Sequence, residues 1–232
     1  MTPTDIRRRP GPGGGSRQRN GWAPAVNIGR HLYVSGMTDP IFNDTSTPLA
    51  LLATRRSGKP RDLVAPGPDP AQLDQMIGIA ARTPDHGKLA PWRFVIVDDR
   101  DALSRLIVDA YRAERPQAAR AEIDSLDQFA RQAPALVVVL SSPSRTSHIP
   151  LWEQEMSAGA ATMNLLHAAH AMGFAGGWLT GWPTFSTAVR DAFGAAHEKI
   201  VGFVFVGTPG RPLEERPRPD MARIVSHWPD AG

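Results

Sequence analysis

Residues 151–172, LWEQEMSAGAATMNLLHAAHAM, followed by Gly173 and then by AGGWLT at 175–180, decide the architecture. Small and apolar residues run nearly all round the first segment, which predicts a long central helix, buried or at an interface, instead of a surface helix with one apolar stripe. Pro150 introduces this helix and Gly173 ends it. Ala175–Thr180 then reads as a strand opened by a glycine pair.

Outward from this segment, Arg93–Val97, Ala135–Leu140 and Ile200–Val206 carry the apolar, β-branched composition of further strands. A short helix starts at Pro48 and runs out near Ser57. A second begins at Pro70, where Asp69 and Gln72 have the spacing of a capping box and Leu73, Met76, Ile77 and Ala80 recur at helical intervals. Two more helices follow from the periodicity of Leu103 to Ala110 and of Ile123 to Ala130, and a short one covers Ala188–Phe193. Helices and strands do not alternate regularly, so the fold class is α+β, a mixed sheet flanked by helices. No strand is followed by G-x-G-x-x-G and no Walker sequence is present, which excludes the classical dinucleotide and P-loop folds.

The 232 residues suffice for one domain, expected over 47–210, with a disordered extension over 1–46 and a proline-rich tail over 211–232. Met37 is a second candidate start. Six arginines against one aspartate give residues 1–36 a net +5, so of the overall +3 the remainder contributes −2. The body is therefore not basic, and neither nucleic acid nor membrane is expected as a partner. The absence of cysteine excludes a thiol nucleophile and thiolate metal centres, and no metal site is expected: His167 and His170 lack an accompanying carboxylate at ligand spacing. With no apolar stretch of secretory type, a cytoplasmic location is expected.

Four signatures remain: Arg55-Arg56-Ser57; Arg82-Thr83-Pro84-Asp85-His86 running into Pro91-Trp92; Trp152 to Gly159; and Gly176 to Gly181. Singly, each has a plain reading. Arg55–Ser57 could be a solvated helix end, His86 a helix-capping histidine, and Gly176-Gly177 a bulge. In this order and spacing the chain resembles the flavin-dependent nitroreductase family, in its small single-domain bacterial branch, over roughly residues 48–209.

That resemblance implies an intertwined homodimer with FMN at the subunit interface and NADH or NADPH as co-substrate. The implied activity is an FMN-dependent oxidoreductase passing hydride from NAD(P)H through the flavin to a nitroaromatic, quinone or similar acceptor in a ping-pong cycle. The flavin carries the chemistry, so no catalytic side chain is required. The implied flavin residues are Arg55, Arg56, Ser57, Arg82, His86, Trp178, Leu179 and Thr180, the last three reaching the flavin of the partner subunit. Ala168, Ala169, His170, Ala171, Met172 and Gly173 would border the nicotinamide, and Arg211 or Arg216 would complete a phosphate clamp. Two positions depart from the family pattern: Ala90 stands where glutamine commonly precedes Pro-Trp, and Leu179 where a basic or polar residue is common. A flavin-binding redox sensor or FMN store is thus the alternative to an enzyme.

Overall fold

The computed structural model describes residues 41–229. The expected disorder of the N-terminal extension up to residue 40 and the alternative start at Met37 lie outside the described residues. Residues 41–46, assigned to the extension from sequence, belong to the domain instead. The Asn43 side chain pairs with the backbone of Arg56, which ties this stretch to the fold.

Five strands form one sheet: β1 (Leu63–Val64), β2 (Trp92–Ile96), β3 (Ala135–Ser141), β4 (Ala175–Leu179) and β5 (Lys199–Pro209). The long β5 is central. It pairs with β3 along one edge and with β4 along the other, its last two residues pair with β1, and β2 lies outside β3. All four pairings among the described residues are antiparallel, so none needs the right-handed crossover that parallel neighbours require, and the α+β class with helices flanking the sheet is as expected. β1 escaped the sequence pattern because two residues carry no periodicity.

The described residues also form eight α-helices: α1 (Pro48–Thr54), α2 (Pro70–Ala80), α3 (Arg100–Glu114), α4 (Arg120–Arg131), α5 (Leu151–Ala171), α6 (Trp182–Phe185), α7 (Thr187–Phe193) and α8 (Met221–Ile224). The Asp69–Gln72 capping box forms, with each side chain bonded to the other residue's backbone N–H. Gly173 takes φ +85° immediately after α5, the left-handed conformation that glycine adopts without penalty.

β3 shows why the sequence reads as a buried strand. Its alternate residues Ala135, Val137 and Val139 face α2 and α5, while Leu136, Val138 and Leu140 face α3, α4 and α7. The result is a three-layer core with α5 on one face. Its residues Leu165, Leu166, Ala168 and Ala169 pack on β3 and β5 beside Leu73 and Met76 of α2.

A half-buried ion pair, with Glu198 inside and Arg93 reaching solvent, pins the sheet edge. Arg93 of β2 donates from Nε and Nη2 to the two carboxylate oxygens of Glu198, each at 3.0 Å, and Ala195 N–H adds a third bond. Glu198 is only 4% exposed, and these donors, Arg93 foremost, hold its carboxyl down to about 2. The folded-state value lies below the ordinary 4.5, so the stabilisation is full above pH 4.5 and is lost as pH falls towards 2. Glu198→Gln is expected to cost on the order of 3 kcal/mol at neutral pH. Urea denaturation at a series of pH values should also show a flatter acid limb for the variant; an unchanged limb would rule the pair out as its cause.

Candidate functional site

α1 ends at Thr54, and Arg55 turns the chain into extended conformation (φ −53°, ψ 128°), so the next residues leave the helix as a strap across the sheet edge. Two contacts fix this strap. Asn43, at φ +54°, donates from Nδ2 to the Arg56 carbonyl at 3.2 Å and accepts the Arg56 N–H at 2.8 Å. Two residues on, Gly58 N–H donates to the Gly176 carbonyl on β4 at 3.0 Å. Gly177 allows the close approach: a Cβ there would sit 2.6 Å from the Gly58 carbonyl oxygen and 3.0 Å from the Pro60 ring.

The strap forms one wall of an open cleft of about 720 Å³, within the roughly 300–1,000 Å³ typical of small-molecule and cofactor sites. Arg55, Arg56 and Ser57 line it, and Gly177, Trp178 and Leu179 of β4 face them in the same protomer. Met163 and Leu166 of α5 supply an apolar side. Lys59, Arg61 and Gln132 complete the rim; their spacing after Ser57 and after α4 gave no signal of this, since the cleft is made by chain crossing and not by a motif. Among the described residues, no aspartate or glutamate lines the cleft.

The Trp178 indole is anchored to the sheet, its Nε1 donating to the Val201 carbonyl at 3.1 Å. Thr180 is exposed, one residue past the end of β4, and does not line the cleft.

Arginines dominate the electrostatics, with the half-exposed Glu215 as counter-charge to Arg218 at 2.9 Å. Partial burial, then the charges of Arg218, Arg56 and Arg216, hold the Arg55 guanidinium below its ordinary value. Arg55 in turn acts with burial to lower His167. Arg55 donates to Ser57 Oγ at 3.3 Å. The Arg56 Nε is buried without a hydrogen-bond partner, its nearest carboxylate being Glu215 at 3.7 Å. Of the tail arginines, Arg216 joins the group around Arg55, as does Arg218, which sequence spacing did not single out. Arg211 lies instead beside Asp62 at 3.8 Å. Crowded guanidinium groups with an unsatisfied donor are the signature of an anion site.

Arg82 and His86 stand elsewhere. Both are exposed in the loop after α2, and neither lines the cleft. His86 Nδ1 lies 2.8 Å from Glu153 of α5, Ser157 Oγ donates to the Pro84 carbonyl, and Asn164 Nδ2 donates to Thr83 Oγ1 at 2.6 Å. At 3.6 residues per turn, Glu153, Ser157 and Asn164 lie roughly 130° round α5 from the cleft-lining Met163 and Leu166. The loop and the cleft therefore occupy different sides of this helix.

Of the segment expected at the nicotinamide, Ala168, Ala169 and His170 are fully or almost fully buried. Ala168 and Ala169 pack in the core cluster with β3 and β5, while Ala171 and Gly173 are exposed and Met172 is partly so. Among the described residues no group of histidines and acids could hold a metal ion, and no helix is long and apolar enough to cross a membrane.

The strap, the edge strand and the core helix thus enclose a cationic cleft on a three-layer α+β fold. Residues 52–208 match the model of the Nitroreductase family, and the chain belongs to that family. It is 36% identical over 165 residues to the protein named "Putative NAD(P)H nitroreductase YdjA" of Escherichia coli (strain K12), covering 69% of this chain and 87% of that one. Among solved structures it resembles a nitroreductase-like family protein from Bacillus cereus, with TM-score 0.65, 19% identity, and 84% of this chain and 100% of that one covered. It also resembles a variant of NfnB, an FMN and NADPH-dependent nitroreductase from sphigopyxis sp. strain HMH, with TM-score 0.57, 17% identity, and coverage of 75% and 96%.

The strap geometry makes two expectations. Asn43→Ala removes both bonds to the Arg56 backbone and should cost about 1–2 kcal/mol in chemical denaturation. Gly177→Ala should cost about 1–3 kcal/mol by forcing the strap outward, and hydrogen exchange at Gly58 should rise with it. Wild-type exchange at Gly58 in both variants would contradict this placement of the strap.

Proposed function

We propose that the cleft binds FMN and that the protein is an NAD(P)H-dependent flavin oxidoreductase. The observation that carries this reading is the set Arg55, Arg56 and Arg61 lining one open cleft with an apolar side, with the buried Arg56 Nε left without a hydrogen-bond partner. The related proteins named above support it. A dianionic phosphate would satisfy the crowded guanidinium groups and the orphaned Arg56 Nε. Met163, Leu166 and the glycine-bearing edge of β4 suit a flat ring. Arg61 adds positive charge at the rim, where it favours a ligand that gains negative charge, while Lys59 is paired with Glu214 at 2.8 Å.

When bound, the flavin supplies the redox chemistry, taking hydride from NAD(P)H and passing electrons to a nitroaromatic, quinone or similar acceptor in a ping-pong cycle. This chain's residues bind and orient it, and none acts as nucleophile.

The opposed placement of the Arg82–His86 loop supports a homodimer in which that loop serves the partner's cleft. The surface agrees with pairing: Leu49 and Leu52 of α1, Trp152 and Met156 of α5, and Met221, Ile224 and Trp228 of the tail are all exposed by more than half. Trp178 and Leu179 then serve their own protomer's flavin together with Arg55–Ser57, in place of the partner's. We place the enzyme in the cytoplasm, consistent with its lack of cysteine.

The test is the visible spectrum of the purified protein, followed anaerobically on adding NADPH and then NADH. A bound flavin that bleaches and is reoxidised repeatedly by an added quinone is expected. A flavin that binds but does not turn over would favour the redox sensor or store, and failure to take up FMN would overturn the reading. Arg55→Ala should weaken FMN binding by about 10- to 100-fold, the weight of a charge-assisted hydrogen bond.

A further inference from the structure

His170 is fully buried near the end of α5, and nothing above uses it. Its Nε2 accepts the Gly176 N–H at 3.3 Å, which leaves the ring proton on Nδ1, a buried atom without a partner. A histidine is a costly choice for such a place, since an apolar residue would leave no orphaned donor.

The edge of β4 explains it. β4 pairs with β5 on one side only, so its other side presents free peptide groups. In an antiparallel strand the N–H and C=O of one residue point the same way. At Gly176 both point off the sheet: the N–H goes to His170, and the C=O receives the Gly58 N–H of the strap. A Cβ at Gly176 would lie 2.7 Å from Leu166 Cδ2, so the peptide is also packed against α5. The imidazole, the Gly176 peptide and the strap thus form one hydrogen-bonded line from the core to the cleft wall.

We propose that His170 is a positioning residue for the cleft: by accepting the Gly176 N–H it fixes the β4 edge on which Gly58, and with it Arg55 to Ser57, is held. The line requires a neutral ring. A protonated Nε2 would turn an N–H against the Gly176 N–H and set a cation near the charged and titratable neighbours Arg55, from the strap, and His167, on α5 itself. Burial, then Arg55 and His167, press the imidazole down to about 4, so the ring is neutral across the physiological range.

The ligand in this proposal rests on the flavin reading, but the hydrogen-bonded line does not. His170→Leu removes the acceptor, while His170→Gln offers Oε1 in its place. In the full chain without flavin, His170→Leu is expected to speed amide exchange at Gly176 and Gly58, and His170→Gln to keep both protected. FMN titration by flavin fluorescence should then show affinity about tenfold weaker for the leucine variant and near wild type for glutamine. Equal losses in both variants, or protected amides and unchanged affinity in His170→Leu, would overturn the proposal. Should His170→Leu fail to fold, long-range ¹H–¹⁵N spectra of the wild-type imidazole decide the question. An Nδ1–H tautomer persisting to about pH 5 is expected, and an Nε2–H tautomer overturns it. Wild-type protein that binds no FMN would sink the reading of the cleft, while the exchange data would still decide the role of His170.

Discussion

The unpaired edge of β4 is the constraint on which the site depends. An edge strand leaves N–H and C=O groups without partners, and buried peptide groups must find them. Here the strap after α1 supplies a donor through Gly58 and the core supplies an acceptor through His170. Because the strap must lie on that edge, Arg55, Arg56 and Ser57 are delivered to one cleft with Gly177, Trp178 and Leu179. The site residues therefore meet through backbone pairing, and their side chains are left available for a ligand.

Electrostatics then select the ligand. Arg218, Arg56 and Arg216 add to the electrostatic cost of the charged Arg55, and the half-exposed Glu215 pairs with Arg218 at 2.9 Å but satisfies Arg56 poorly at 3.7 Å. Surface ion pairs of this kind contribute little. A bound polyanion relieves the repulsion, and the apolar contribution of Met163 and Leu166 calls for a ligand with a flat, uncharged body as well as a phosphate. FMN combines the two, in accord with the family to which the chain belongs.

Much of the fold was legible. β3 announced itself by a run of apolar residues buried on both faces, α2 by its capping box, and the end of α5 by Gly173. Motif order singles out Arg55–Ser57 and Trp178–Leu179 but not their meeting in one cleft of the same protomer. The remainder depends on contacts distant in sequence. Asn43 is 13 residues from the Arg56 it clamps and lies next to a stretch whose composition suggests disorder. Arg218 adjoins Arg55 only because the tail folds back. His170 sat in a helical segment whose direction decides between ligand and core, and periodicity in a helix apolar on nearly every side cannot fix that direction. The antiparallel sense of the sheet follows from connections that strand composition does not encode.

The division of the site between two faces of α5 leads to one decisive measurement. Subunits carrying Arg55→Ala and Arg82→Ala, differently tagged and purified as a mixed dimer, place both substitutions in one cleft if the cleft is shared between protomers. The other cleft is then intact, so the mixed dimer should bind one FMN with wild-type affinity, while each variant homodimer binds weakly at both sites. A mixed dimer with no site of wild-type affinity would show that Arg55 and Arg82 act within one protomer and would contradict the account.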